Sequence, residues 1–139
     1  MTAFLPSMQF SIPPWHYNNK TNVPVNRICR ELVQLHENIV YPILIKEASQ
    51  ATKTGSPIIR PVWWIDNSDK NTFILSDQFL VGNDILVAPI TDENRFKRDI
   101  YVPRGKWLSE NKTIYTGPIW LRDYPAPIDK IPYFINQPN

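Results

Sequence analysis

Apolar residues change their period once along this chain, near Gly55, and the change divides it. Upstream, Ile28, Leu32, Leu35, Ile39 and Ile43 recur at spacings of four, three, four and four, which makes one stripe of an amphipathic helix. Asn22 is placed to cap that helix, Pro24 suits its first turn and Gly55 supplies a stop, so the pattern predicts a helix over about 24–52. Pro42 falls inside it, removes one backbone hydrogen bond and predicts a bend. Before the helix, Ala3–Trp15 reads as a short extended run that Pro13-Pro14 must end, because neither proline donates to a ladder. A polar loop, His16 to Asn22, follows that run. A helix of this length needs an apolar partner, and the 23 residues before it are too few to provide one. The expectation is that chain beyond this sequence covers it.

Downstream of Gly55 the period becomes that of strands. The candidates are Pro57–Ile65, Thr72–Leu75, Phe79–Val81, Ile85–Pro89, Arg98–Val102, Ile114–Tyr115 and Ile131–Ile135. Turn signals separate them at Asn67-Ser68-Asp69, Gly82-Asn83-Asp84, Pro103-Arg104-Gly105 and Thr116-Gly117-Pro118. Short strands at this spacing predict an antiparallel β-sandwich over 56–139, preceded by a strand-plus-helix piece over 1–55. In a strand, Trp63 and Trp64 would point to opposite faces, one toward the core and one toward a neighbouring domain or a ligand.

Composition adds limits. The chain has 139 residues, 42% of them apolar, with five Trp, enough for one folded domain or a domain and part of another. A net charge of +2, with only Arg95, Lys97 and Arg98 clustered, gives no footprint for nucleic acid. Cys29 is the single cysteine, so no intrachain disulfide forms, and its apolar helical setting predicts a buried structural thiol. No secretory leader and no run of 18 apolar residues is visible, so no membrane segment is expected in this piece. Two N-x-T sequons, at Asn19 and Asn111, are candidates for glycosylation, although about one is expected by chance among twelve Asn.

Three runs carry a family resemblance. Pro57-Ile58-Ile59-Arg60-Pro61 matches a P-[IV]-[IVM]-R-P-L-like strand, Asp77 to Pro89 matches D-Q-F-x-x-G-x-x-[IL]-L-V-A-P, and Arg98–Trp107 matches V-Y-L-P-x-G-x-W. With the strand-like run and long helix before them, these parts resemble, in order, the end of glycoside hydrolase family 31. The resemblance implies an α/β remnant plus an all-β part: the last strand and long last helix of a (β/α)8 barrel, followed by an antiparallel β-sandwich. MQFSIPPW and RPVWWI resemble the myogenesis-regulating, α-galactosidase-like branch, whose members carry one membrane-spanning segment far upstream. That likeness leaves open a secretory or membrane-anchored parent. Where α-glucosidase members have R-x-H, this chain has Gln9-Phe10-Ser11, so Ser11 replaces a sugar-binding His and glucosidase specificity does not carry over.

A retaining glycosidase needs two carboxyls about 5–5.5 Å apart. In this family both are aspartates on earlier barrel strands, in W-x-D-[MG]-N-E-like and D-x-x-G-like contexts that this chain lacks; its first acidic residue is Glu31, inside the helix. The resemblance therefore implies part of a retaining α-glycosidase, acting on a carbohydrate substrate, whose catalytic pair is missing here. No residue of the chain is expected to be catalytic. Asp66, Asp69 and Asp84 sit where Asp sets turns, and Asp77 precedes a strand it can brace. Barrel chemistry lies at the C-terminal ends of strands, which places Ser11, Trp15 and His16 at the rim of the pocket. Trp15 is expected either to stack on a pyranose ring or to pack on the helix; a lone loop His such as His16 is commonly just solvated, and His36 is exposed or bonded in the core. Two His and one Cys without ligand spacing predict no metal site, and four scattered Gly predict no phosphate loop and no cofactor. The rival readings are a non-catalytic carbohydrate-binding sandwich and a structural interaction module.

Overall fold

A computed structural model describes residues 2–7, 9–17 and 20–138. Its helical part comprises α1, Val25–Leu35, a π-helical turn at His36–Val40, and α2, Tyr41–Thr54. The strands are β1 (Ile59–Pro61), β2 (Phe79–Val81), β3 (Ile85–Val87), β4 (Lys97–Ser109), β5 (Ile114–Pro125) and β6 (Tyr133–Asn136). They pair antiparallel throughout, in the order β1-β2-β3-β6-β4-β5.

The helix begins and ends close to the expected limits, but its start differs in detail. Pro24 is the capping residue and offers no side-chain bond, while Thr21 Oγ1 accepts the Val23 N–H at 3.1 Å. Asn22 is therefore not the cap. At the other end Gly55 adopts φ 75°, left-handed geometry that suits glycine, and its N–H reaches Ala51 O at 2.9 Å. The π-helical turn lies immediately before Pro42, whose ring would otherwise meet the carbonyl one turn back. Widening the ladder there shifts the buried register by one residue. Val40, Leu44 and Glu47 become the buried positions, and Ile39 and Ile43, central in the expected stripe, lie half-buried beside them.

The partner for this face is the sheet. Val40 and Leu44 pack with Val81, Ile85 and Val87, joined by Ala3 and Phe4 from the N-terminal turn. The expectation that the helix needs chain beyond this sequence is thus corrected for its buried face, because the strands after it provide the surface.

The other side of the sheet forms a second core from Val62, Leu80, Leu86, Ile100, Val102, Trp107, Tyr124 and Phe134. Leu80 and Val81, neighbours in β2, go to opposite cores, as strand alternation requires. Ile100 and Val102 share a core with Leu80 although three strand boundaries separate β4 from β2. The long β4–β5 hairpin therefore bends over the sheet. Its bulges, between Arg98 and Ile100 and between Val102 and Gly105, are where a two-stranded ribbon bends. The layers expected of a sandwich are built from one continuous, folded sheet.

Those bulges replace two expected turns. Pro103-Arg104-Gly105 lies within β4, and Thr116-Gly117-Pro118, with a cis Gly117–Pro118 bond, lies within β5. A Cβ on Gly117 would sit 2.0 Å from Pro103 O, so glycine is needed where the two bulged strands touch. The expected strands Arg98–Val102 and Ile114–Tyr115 lengthen into β4 and β5, and others are cut back or lost. Pro57–Ile65 shortens to β1, since Pro61 lacks the N–H that would extend pairing, and Val62–Trp64 forms a 3₁₀ turn. Thr72–Leu75 gives way to a 3₁₀ turn, Lys70–Ile74, that Asp69 caps by accepting the Asn71 N–H at 3.1 Å. Among the described residues of the run Ala3–Trp15 there is no strand. Thr2–Phe4 and Pro14–Tyr17 form 3₁₀ turns, and Leu5 N–H returns to Thr2 O at 3.0 Å.

Candidate functional site

The residues expected at a sugar rim lie in the N-terminal segment. Trp15 and His16 share the Pro14–Tyr17 turn, and Ser11 lies in the bend before it; all three are exposed. Trp15 is 67% exposed. His16 Nε2 meets Lys20 Nζ at 2.9 Å, and its ring meets Tyr17 edge-on at 5.7 Å. His36 has a structural partner: its Nδ1 lies 2.8 Å from Ala3 O, tying the π-helical turn to the N-terminal turn. Cys29 is free and half-buried in α1. Asn19 falls outside the described residues, and Asn111 occupies the tip between β4 and β5.

The run Pro57 to Pro61 builds a latch. Arg60 Nη2 donates to Glu47 Oε2 at 2.5 Å, Nη1 to Asn83 Oδ1 at 2.7 Å and Nε to Pro57 O at 2.7 Å. Both side chains of the Glu47–Arg60 pair are only 6% exposed. A buried pair holds only when its remaining donors and acceptors are satisfied, and Arg60 meets that condition. Gly82 makes room for it. A Cβ there would lie 2.6 Å from Glu47 Cδ, on a backbone with φ 57°. Above the latch Lys46 Nζ reaches Asp84 Oδ2 at 2.7 Å, and that bond, outweighing partial burial, holds the ammonium above its ordinary range. Sequence reasoning missed Glu47. The available signal was an acid at the third buried position of Val40, Leu44, Glu47.

Asp77 and Gln78 hold the folded hairpin. Gln78 Nε2 donates to Tyr101 O, and the Tyr101 N–H donates to Gln78 Oε1, both at 2.9 Å, so a side-chain amide stands in for a strand. Arg98 pairs with Asp77 Oδ2 at 2.7 Å, donates to Asp77 O at 3.0 Å and also bonds Pro89 O. The Tyr101 hydroxyl donates to Asp69; burial first, then that bond, raises its pKa. Asp77 braces, as expected.

The turn aspartates also behave as expected. Asp66 Oδ1 accepts Ser68 Oγ at 2.6 Å and Ser68 N–H at 3.1 Å, bonds that lower its pKa. Its buried Oδ2 faces Arg104 Nε at 3.1 Å, a charge contact without hydrogen-bond alignment. Asp84 differs, since its carboxylate pairs with Lys46. Trp63 and Trp64 do not alternate: side by side on a helical turn, Trp63 stacks on Phe73 at 6.1 Å and Trp64 lies beneath Arg60. Trp107 is fully buried and donates to Pro103 O at 3.0 Å.

One open groove, about 860 Å³, runs beside the hairpin. Ile74, Asp77, Phe96, Asp99, Trp120 and Arg122 line it. Arg122 lies over the Trp120 ring at 4.7 Å and pairs with Asp99 at 2.5 Å. The Asp123 backbone N–H and then Arg122 depress the pKa of Asp99. The sequence signal was Trp120-Leu121-Arg122, whose alternation puts Trp and Arg on one face. Among the described residues no group of His, Cys, Asp and Glu is arranged to hold a metal, and no helix is long and apolar enough to cross a membrane.

Comparison with known proteins accounts for the arrangement. The glycosyl hydrolase family 31 C-terminal domain matches residues 55–138. The chain is 40% identical over 135 residues to the myogenesis-regulating glycosidase of Mus musculus, covering 96% of this chain and 18% of that protein. It is 39% identical over 140 residues to the SITS-binding protein of Tetronarce californica, covering 99% of this chain and 20% of that one. A dextranase of Flavobacterium johnsoniae, solved with isomaltotriose, superposes with a TM-score of 0.80 at 34% identity, over 91% of this chain and 15% of that chain. The chain thus spans about a fifth of the curated relatives' length. The latch at Arg60 and the brace at Asp77-Gln78 lie in the runs that first suggested the likeness, and on these grounds the chain belongs to glycosyl hydrolase family 31.

Proposed function

We propose that this chain is the C-terminal, supporting part of a retaining α-glycosidase that hydrolyses O-glycosyl bonds through an aspartyl glycosyl intermediate. The division near residue 55 would then separate the end of a (β/α)8 barrel, 1–55, from the β-domain, 56–139. One observation carries the reading: the family-motif residues Arg60, Asp77, Gln78 and Trp107 are committed to internal bonds that fix the helix and the hairpin to the sheet. A domain of this kind positions the segment before it. That segment would bring Ser11, Trp15 and His16 to the sugar, Trp15 by stacking on a pyranose ring and Ser11 by bonding a hydroxyl. The carboxyl pair would come from chain outside this sequence, so the chain alone is inert.

The test uses the natural polypeptide with aryl α-galactosides and α-glucosides. Retained anomeric configuration in the first-formed sugar, together with a KM raised about tenfold by Trp15→Ala at little cost in kcat, is the expected result. Inversion, or unchanged kinetics in Trp15→Ala, contradicts it.

The groove favours a second reading, a carbohydrate-binding β-domain without catalysis. Phe96 offers an exposed ring, and Asp77, Asp99 and Arg122 offer hydrogen-bonding groups beside it. Calorimetric titration of the chain with galactosides decides between them. Saturable binding lost in Phe96→Ala supports the second reading, and its absence supports the first.

A further inference from the structure

We propose that Asn111 is a site of N-linked glycosylation, and that the β4–β5 tip therefore faces a lumenal or extracellular space free of any domain interface. The sequence requirement is met by Asn111-Lys112-Thr113, an N-x-T triplet without proline. Triplets occur by chance, so the structural setting decides. All three residues are exposed and form the turn from Ser109 to Ile114, with Lys112 at φ 66°. The turn holds itself together without the two groups a transferase must engage. Ser109 Oγ lies 2.9 Å from Thr113 O and donates to Asn111 Oδ1 at 2.5 Å, while the Thr113 N–H bonds Ser109 Oγ at 3.1 Å and Asn111 Oδ1 at 3.2 Å. The Ser109 N–H to Thr113 O and Lys112 N–H to Ser109 O bonds, each 2.9 Å, close the hairpin. Asn111 takes part only through its oxygen. Its Nδ2 and the Thr113 hydroxyl have no partner among the described residues, and both residues are exposed.

The co-reactant is an oligosaccharide carried on a lipid pyrophosphate. Asn111 Nδ2 forms a bond to the anomeric carbon as that carbon's bond to the pyrophosphate oxygen breaks. Nδ2 loses one proton, which leaves with the pyrophosphate, and no electrons change hands. A branched oligosaccharide at this tip excludes a protein neighbour from it, whereas the exposed Trp63, Trp64 and Phe73 remain bare. The inference does not depend on the proposed hydrolase activity, because it concerns exposure of one turn.

The experiment expresses the natural polypeptide that contains this chain in eukaryotic cells, with no leader added. Peptide mass spectrometry follows, after enzymatic release of N-glycans in heavy-oxygen water, which marks each formerly occupied Asn and separates Asn111 from Asn19. Most of the folded polypeptide should carry the mark at Asn111. Thr113→Ala should abolish it and Thr113→Ser should keep it. Since the Thr113 hydroxyl supports no bond in the turn, loss in Thr113→Ala reads recognition and not folding. Folded polypeptide with unmarked Asn111 overturns the proposal, as does equal marking in Thr113→Ala.

Discussion

Arg60 makes its contacts with Glu47, Asn83 and Pro57 from inside the junction between α2 and the sheet. Removing one charge of a buried pair strands the other, which costs about 3–5 kcal/mol, whereas replacing both by apolar groups of similar size is far milder. Arg60→Met should therefore lower stability by about that amount in urea unfolding, and Glu47→Leu added to it should recover most of the loss. Gly82→Ala should also be costly, since it combines a left-handed backbone with a collision against Glu47. Tyr124 makes a different prediction. Burial, and then the charge of Glu110, whose carboxylate accepts its hydroxyl at 3.0 Å, raise its pKa. With the folded value above the unfolded one, the contribution is complete below about pH 10 and is lost as pH rises toward the folded value. Tyr124→Phe should therefore flatten the fall in melting temperature above about pH 10, though not remove it, because Tyr101 and Tyr133 are raised too. A fall equally steep in the variant would refute that attribution.

At the scale of elements, the structure turns on a folded hairpin held by a side-chain amide. Gln78→Leu leaves the buried Tyr101 N–H and C=O without partners, and each orphaned group costs about 1–3 kcal/mol. Hydrogen exchange at Tyr101 should accelerate at least tenfold, more than exchange at Val81 or Leu86 in the central strands. Uniform acceleration would show that the hairpin does not open separately. Much of this level was legible in the chain. β2 has the bounds expected of the apolar run Phe79–Val81, and the helix stops at the glycine that marked its end. What escaped depended on distant contacts. Proline and glycine at 103–105 and 116–118 have turn chemistry, yet the paired strands absorb them as bulges because Pro103 and Gly117 face each other. Pro42 marked a disturbance but not its form, a π-helical turn that places Val40 and Leu44 against β2 and β3.

Across the whole molecule, internal bonding and exposed aromatic surface lie in different places. The motif residues are bonded inside, whereas Phe10, Ile12, Trp15, Tyr41, Ile45 and Phe73 stand in solvent. An apolar surface of this extent predicts concentration-dependent self-association of the isolated chain by light scattering. The sequence showed the family well, because it rests on local residue patterns. The groove beside Trp120 and the burial of Glu47 were harder to see, since each needs strands and helix assembled from distant positions. The central claim is that these 139 residues support glycoside hydrolysis without performing it. Its most direct test is prolonged incubation of the purified, folded chain with aryl α-galactosides and α-glucosides, beside an active family 31 enzyme. The expected result is release of aryl alcohol no faster than in buffer; turnover that copurifies with the chain would contradict the account.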